Sequence, residues 1–77
     1  VAGMIELDAR RLMCPMPVIK TQNAIKPLLP GDKLRVFCTD PGVLQDIPAW
    51  CRINKHTVLL AEERDGEYIL TIEVGNE

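Results

Sequence analysis

The chain has 77 residues, of which 47% are hydrophobic and 26% are charged, and its formal net charge is −2 at pH 7. This length accommodates a single domain, residues 1–77, because domains usually run to about 100–150 residues. The longest uncharged apolar run is too short to cross a bilayer, and no block of five like charges is present to bind a phosphate backbone. We therefore expect a globular domain with neither a membrane span nor a direct nucleic-acid ligand.

The first residues of the chain, Val1-Ala2-Gly3-Met4, contain neither the basic nor the apolar segment of a secretion signal. We therefore expect a cytoplasmic protein. Met4 is a candidate for the natural start, with residues 1–3 as additions in front of it.

The first part of the chain is predicted to form a strand and a helix. Apolar and polar residues alternate over about residues 4–8, which indicates a strand. A helix is predicted over about residues 15–26, with Pro15 and Pro17 in its first turn, where proline is tolerated, and with its end near Lys26 because another proline follows. Five residues are expected to form its apolar stripe: Val18, Ala24, Ile25, Leu28 and Leu29.

The middle of the chain is predicted to form a second strand and a second helix. A turn at Pro30-Gly31-Asp32 precedes the strand. Three alternating residues are expected on the buried face of this strand: Leu34, Val36 and Cys38. Asp40 as a cap and Pro41 at the first helical position predict a helix over about residues 41–53, and Asp46 is interpreted as a local cap at a bend. Three residues are expected to form its stripe: Leu44, Ile47 and Cys51.

The last part of the chain predicts a hairpin. Strands are expected over about residues 57–62 and 68–74, and the Asp65-Gly66 pair between them favours a tight turn. The resulting order is βαβαββ, with parallel strands in each strand–helix–strand unit and antiparallel strands in the hairpin. Because each helix has one apolar stripe, both helices should cover one face of a mixed four-stranded sheet in a two-layer α/β (α+β) sandwich. The order of the strands stays open.

The three cysteines of the chain, Cys14, Cys38 and Cys51, are an odd number and do not form a disulfide framework. A zinc site would need a close pair of ligands, and the nearest combination is Cys51 with the one histidine, His56. We therefore expect no bound metal and no cofactor. Since Cys38 and Cys51 share the apolar faces of their elements, both are interpreted as core residues.

Cys14 is the candidate catalytic residue. It lies next to the predicted start of the first helix, where the helix dipole and unpaired N–H groups favour a thiolate, which is the reactive form of cysteine. Pro15 and Pro17 stiffen this segment, and proline at position 17 excludes the second thiol of a Cys-x-x-Cys redox enzyme. A protein that carries sulfur as a persulfide gains from this absence, because no neighbouring thiol attacks the load. The alternative is that Cys14 is a small buried hydrophobic residue.

Four further residues are weighed for function. Arg10 and Arg11 precede the cysteine, so they either lower its pKa, contact an acidic partner or lie in a solvated loop. Trp50 is interpreted as a half-buried helix residue, with partner contact as the alternative. His56 is expected to be solvated at the edge of a strand, with a general-base role as the lesser alternative.

Three segments of this sequence resemble the TusA/SirA family of small sulfur-carrier proteins. They are Leu7-Asp8 followed by Leu12-x-Cys14-Pro15-x-Pro17, then Pro30-Gly31-Asp32, then Asp40-Pro41 through Asp46-Ile47-Pro48-x-x-Cys51. The match begins at about residue 5 and covers nearly the whole chain. The resemblance implies the βαβαββ fold and a cysteine that works as a sulfurtransferase site, and Cys14 alone matches that persulfide-carrying position.

The resemblance also implies partners. Cys14 would accept sulfane sulfur from a cysteine desulfurase and pass it to a downstream acceptor protein, in TusA proper within a relay that thiolates the wobble uridine of certain tRNAs. Met16, together with Arg10 and Arg11, is a candidate partner contact. Two alternatives stay open: a non-catalytic regulatory or binding module whose Cys14 only caps the helix, and a paralogue that serves thiosulfate uptake, selenium metabolism or sulfur oxidation.

One position departs from the family pattern, because Arg11 stands where the family usually has glycine. If this glycine adopts a positive φ, arginine there is strained by about 1–2 kcal/mol, or the loop follows another path.

Overall fold

Six elements follow one another in the predicted order βαβαββ in the computed structural model, which describes residues 4–13 and 15–75. They are β1 (Met4–Ala9), α1 (Met16–Ile25), β2 (Lys33–Cys38), α2 (Val43–Ile53), β3 (Thr57–Arg64) and β4 (Glu67–Glu73). The predicted elements are all present, but β3 extends two residues beyond its expected end and α1 is one residue shorter at each end. The predicted start of α2 is wrong, because this helix begins at Val43 with Gly42, and not Asp40, as its N-cap residue.

The four strands form one mixed sheet in the order β1-β2-β4-β3. β1 pairs parallel with β2, and β4 pairs antiparallel with both β2 and β3. β2 and β3 therefore run in the same direction with β4 between them. This arrangement confirms the mixed sheet and supplies the strand order that the sequence left open.

Both helices pack on one face of the sheet, as expected for a two-layer sandwich. α1 contacts β1 and β2, α2 contacts β3 and β4, and the two helices contact each other. The buried face of β2 alternates as predicted, with Leu34, Val36 and Cys38 fully buried. The rest of the central cluster comes from all the other elements except β3: Ala9, Ile25, Val43, Ile47, Cys51, Leu70, Ile72 and Val74.

The predicted stripe of α1 is partly wrong. The fully or nearly buried residues of this helix are Pro17, Thr21 and Ile25, spaced four residues apart. Leu29 is 70% exposed, because the helix ends at Ile25 before it can include that residue. Thr21 is tolerated in the core because its hydroxyl donates a hydrogen bond to the Pro17 carbonyl at 2.8 Å.

The predicted apolar stripe of α2 is wrong at its first residue, which is Val43 and not Leu44. Val43, Ile47 and Cys51 are buried, whereas Leu44 is 42% exposed. The interpretation of Asp46 as a local cap is also wrong, because its backbone N–H donates to the Gly42 carbonyl at 3.0 Å, as in an ordinary helical residue. The helix continues through Pro48 to Ile53.

The hairpin turn has the predicted geometry. Asp65 and Gly66 have φ values of 53° and 81°. Two consecutive positive φ values are typical of the type I′ turn, whose twist matches that of the strands it joins, and Asp-Gly is a preferred pair for it.

The end of α2 explains why His56 is not solvated as predicted. Lys55 has a φ of 66°, its N–H donates to the Arg52 carbonyl, and the His56 N–H donates to the Cys51 carbonyl at 2.8 Å. These bonds form a Schellman motif, which usually includes an apolar contact back to the helix. Here the contact is the stacking of the His56 ring on Trp50, with 5.2 Å between centroids. His56 therefore belongs to the helix cap and is 9% exposed.

His56 also holds the segment that follows β4. Its Nδ1 accepts a hydrogen bond from the Gly75 N–H at 2.9 Å. A Cβ atom built on Gly75 would overlap the Lys55 carbonyl oxygen, so the backbone of this segment lies directly against the cap of α2. Only glycine fits at this position without displacing one of the two segments.

Gly75→Ala should lower the free energy of unfolding by about 1–2 kcal/mol, because the added methyl group separates the chain from His56 and breaks the hydrogen bond to Nδ1. Urea unfolding of the two proteins, followed by far-UV circular dichroism, measures this difference. An unchanged unfolding midpoint would show that the contact at the α2 cap contributes nothing to stability.

Candidate functional site

The predicted site residues fall on the loop that joins β1 to α1. β1 and β2 are parallel neighbours and end side by side, with Ala9 opposite Cys38. The loop after β1 therefore lies beside the segment that joins β2 to α2, and both helices begin at this edge of the sheet. Cys14, the predicted nucleophile, lies outside the described residues. The site is consequently built from the residues on either side of it.

Arg10 is held by contacts within the protein. Its Nε donates to Asp8 Oδ1 at 3.0 Å, its Nη1 donates to Glu67 Oε2 at 3.2 Å, and its guanidinium lies 5.3 Å from the centroid of the Phe37 ring. The Arg10 backbone N–H also donates to Asp8, and this bond, followed by the bond from the Arg10 side chain, lowers the pKa of the Asp8 carboxyl. Arg10 thus ties the start of the loop to β4, and its charge is already paired.

Arg11 has a positive φ, the conformation considered above for the glycine that the family usually has at this position. Its φ is 66°, a region that glycine adopts freely and other residues adopt at a cost. The conformation is held by a hydrogen bond in which the Arg11 N–H donates to Thr39 Oγ1 at 2.8 Å. The exposed side chain makes no hydrogen bond or ion pair with residues 4–13 or 15–75. Unlike Arg10, Arg11 therefore presents an unpaired cation at the surface.

A third contact joins the loop to α1. Lys20, one turn into the helix, donates from Nζ to the backbone carbonyl of Asp8 at 2.8 Å. Sequence reasoning did not identify Thr39, Lys20, Glu67 or Phe37 as parts of the site. Of these four residues, Thr39 alone has a signal in the sequence. It directly follows a strand that is parallel to β1, and the carboxyl ends of neighbouring parallel strands meet at one edge of the sheet.

A crevice of about 540 Å³ lies between this loop and the β3–β4 turn. Its lining carries both signs of charge, since Arg10 and Arg11 are basic and Asp8, Asp65 and Glu67 are acidic. Arg10 pairs with both Asp8 and Glu67, so Arg11 and Asp65 are the charged lining residues that form no ion pair with the described residues.

The start of α1 offers few backbone donors. Pro15 is the N-cap residue and makes no side-chain cap, and neither Pro15 nor Pro17 has an N–H group. The Met16 N–H donates to the Met13 carbonyl at 2.9 Å. Stabilisation of an anion at this end must therefore come mainly from the helix dipole rather than from direct N–H bonds.

Apolar side chains are exposed around the start of α1. Met13 is 77% exposed, Met16 is 46% exposed and Ile19 is 42% exposed. Met16, a predicted partner contact, is thus accessible. These three residues form the exposed apolar patch of this edge.

The two described cysteines lie in the core, as predicted. Cys38 is fully buried and Cys51 is 1% exposed, and both are free thiols. Burial raises the pKa of each thiol to about 11, with a smaller effect of the Asp40 charge on Cys38. Both are therefore protonated at neutral pH and are poor nucleophiles.

Trp50 is half-buried on α2, as predicted, and packs against the central cluster. Within residues 4–13 and 15–75, no three His, Cys, Asp or Glu side chains come together as metal ligands. Neither of the two described helices is long and apolar enough to span a membrane.

Comparison with known proteins gives consistent results over nearly the whole chain. The family described as sulfurtransferase TusA matches residues 5–74. The sulfur carrier proteins TusA of Pseudomonas aeruginosa and Pseudomonas paraeruginosa are each 39% identical to this chain over 66 residues, which cover 86% of this chain and 84% of the relative. The crystal structure of a SirA-like protein from Desulfitobacterium hafniense superposes with a TM-score of 0.83 at 27% identity, covering 95% of this chain and all of that one.

Arg11→Gly should raise the free energy of unfolding by about 1 kcal/mol, because glycine adopts the observed positive φ without the clash of a Cβ atom. Arg11→Ala is the matched control, since it removes the same side chain but keeps the Cβ atom. Urea unfolding should rank the glycine variant above both the wild type and the alanine variant. Equal stability of the two variants would contradict a strained backbone at this residue.

Stability should fall as the pH rises above about 8.5, where cysteine thiols of the unfolded chain ionise while Cys38 and Cys51 stay protonated in the folded protein. The unfolded chain then binds fewer protons, so each buried thiol lowers the free energy of unfolding by up to about 1.4 kcal/mol per pH unit until its own pKa is reached. Unfolding of the wild type and of Cys51→Ala from pH 7 to 10 measures this slope. The slope should be shallower in the variant, and identical slopes would contradict the raised pKa of Cys51.

Proposed function

Because the chain belongs to the TusA family of sulfur carriers, we propose that Cys14 accepts sulfane sulfur as a persulfide from a cysteine desulfurase and passes it to the thiolate of a downstream acceptor protein. In the first step, the Cys14 thiolate attacks the outer sulfur of the desulfurase persulfide. A sulfur–sulfur bond to Cys14 forms, the bond within the donor persulfide breaks, and the donor cysteine leaves as a thiolate. In the second step, the acceptor thiolate attacks the outer sulfur on Cys14 and releases the Cys14 thiolate. Neither step needs an external oxidant or reductant.

The observation that carries the proposal is the burial of the other two cysteines. Cys38 and Cys51 have almost no exposed surface and a pKa of about 11, so neither can meet a thiol of another protein as a thiolate. The sequence leaves Cys14 as the remaining thiol, in the Cys-Pro-x-Pro motif of the family. The burial of the other two thiols therefore supports Cys14 as the residue that carries the sulfur.

The same burial supports Cys14 as a carrier rather than a redox enzyme. Pro17 stands where a Cys-x-x-Cys enzyme has its resolving thiol. Since the other thiols are enclosed in the core, no second cysteine of the chain is available to attack a loaded persulfide. The sulfur stays on Cys14 until an acceptor thiolate arrives.

The surface around the loop supports docking of protein partners. The exposed apolar patch of Met13, Met16 and Ile19 supplies area for a protein contact, and the unpaired Arg11 supplies a cation beside it. We propose that both donor and acceptor dock here through an apolar surface with a nearby carboxylate. Arg10 contributes less, because Asp8 and Glu67 already pair its charge.

In keeping with the resemblance described above, we propose that the downstream acceptor belongs to a relay for 2-thiolation of the tRNA wobble uridine. In that role the chain would hand sulfur to a protein and would not contact the tRNA, in keeping with its net charge of −2.

Incubation with a cysteine desulfurase and cysteine should add sulfur to the wild type but not to Cys14→Ser, as measured by intact-protein mass spectrometry without reductant. Cys51→Ala is the matched control and should load as the wild type does, because its thiol is buried. Cyanide or dithiothreitol should remove the added mass, since both attack sulfane sulfur. Loading of Cys14→Ser would refute the assignment to Cys14, and failure of the wild type to load would favour a regulatory or binding module.

A further inference from the structure

A cavity of about 380 Å³ opens at the end of the domain opposite the β1–α1 loop. It is lined by the last turn of α1, by Trp50 and His56 at the end of α2, and by the segment that follows β4. Its volume is within the range of about 300–1,000 Å³ that is usual for small-molecule sites. The sulfur-transfer site at the other end of α1 does not use any of these residues.

His56, which lines this cavity, has one ring nitrogen without a partner among the described residues. Its Nδ1 accepts the bond from the Gly75 N–H, so the neutral ring carries its proton on Nε2. That Nε2–H has no acceptor among residues 4–13 and 15–75, although the residue is 9% exposed. Because every enclosed side-chain nitrogen and oxygen of the described residues has a partner, this unpartnered Nε2 has accessible surface. His56 lines the cavity, where this N–H is a candidate donor to a ligand.

The other polar groups of the cavity are also suited to an anion. Lys26, at the C-cap of α1, lines the cavity and forms no ion pair with the described residues, and Gln22 adds an amide donor. None of the described residues that line the cavity is an aspartate or a glutamate. The cavity wall thus combines one ammonium group with two neutral donor groups and has no carboxylate among the described residues.

The carbonyl groups at the end of α2 do not compete for these donors. The carbonyls of Trp50, Cys51 and Arg52 accept bonds from Asn54, His56 and Lys55 respectively. These bonds occupy the carbonyl groups at the negative end of the α2 dipole, so the cap itself partly offsets the negative potential there.

The remaining walls of the cavity are apolar. Ile25, Leu28 and Val74 line it, and the half-buried indole of Trp50 supplies an aromatic surface. A site with apolar walls and a few convergent polar groups usually holds an apolar ligand body and orients it through one polar end.

We infer that this cavity binds a small carboxylate carried on an apolar or aromatic body. The carboxylate accepts hydrogen bonds from His56 Nε2–H and from Lys26, and the body lies against Trp50 and Val74. A free aromatic acid and the C-terminal carboxylate of a peptide ending in an aromatic residue share this chemistry. The inference is independent of sulfur transfer, so Cys14→Ser should bind the same ligand.

The probe is 3-phenylpropanoate, with 3-phenylpropanamide as the uncharged control of the same shape. Trp50 is the one tryptophan of the chain, so its fluorescence reports on the cavity directly. We expect a saturable change in emission with the acid and at least about tenfold weaker binding of the amide, since the loss of one charged contact costs about 1.4 kcal/mol or more. N-acetyl-Gly-Phe, with a free C-terminus, tests the peptide source, and tighter binding than the free acid would identify the ligand as a chain terminus.

Lys26→Met should weaken binding of 3-phenylpropanoate about tenfold, and Lys26→Arg should restore it, because both variants keep the exposed position but only arginine keeps the charge. Lys33→Met is the matched control. Lys33 precedes the buried Leu34 on β2, so its side chain lies on the other face of the sheet. Shifts in ¹H–¹⁵N spectra should map to Trp50, His56 and Gly75. Equal binding of acid and amide, no binding of either, or unchanged affinity in Lys26→Met would overturn the inference.

Discussion

The parallel pairing of β1 with β2 is the constraint on which the rest of this domain depends. Because the two strands point the same way and end together, the loops that follow them meet at one edge of the sheet. The hydrogen bond from the Arg11 backbone to Thr39 exists only because of this meeting. The same pairing places the starts of both helices at one edge and their ends at the other, where the cavity with His56 lies. The two ends of the domain thereby acquire different chemistry.

The order of elements could be predicted from the sequence because it depends on local patterns. The alternation in β2, the proline after α1 and the Asp-Gly turn each predict a feature that neighbouring residues determine. The displaced stripe of α2 is a different case, since Val43 and Leu44 are equally apolar and only the direction of packing decides which one is buried. The central position of β4 and the burial of His56 depend on contacts with residues far along the chain. No local pattern contains that information.

In the candidate site, too, the local motif could be predicted from the sequence, whereas the contacts with distant residues could not. The Cys-Pro-x-Pro motif and its neighbouring arginines could be recognised from the sequence, but the different roles of Arg10 and Arg11 could not. The two residues are adjacent and chemically identical. Asp8, Glu67 and Phe37 contact Arg10, whereas Arg11 forms no ion pair with the described residues. The predicted role of unpaired N–H groups also needed correction, because the prolines that make the motif recognisable remove two of those donors. The helix dipole is then the main local source of positive potential on the protein backbone at this end.

The position of β4 at the centre of the sheet affects how the protein is made on the ribosome. β4 follows the other five described elements along the chain, yet it is the strand that joins the β1–β2 pair to β3. Until it emerges, β3 has no neighbour in the sheet, and the edge of β2 that β4 will cover is open to pairing with other chains. The core residues Leu70 and Ile72 are also absent until then. Nascent chains should therefore acquire the stable fold of this domain only after β4 has left the exit tunnel.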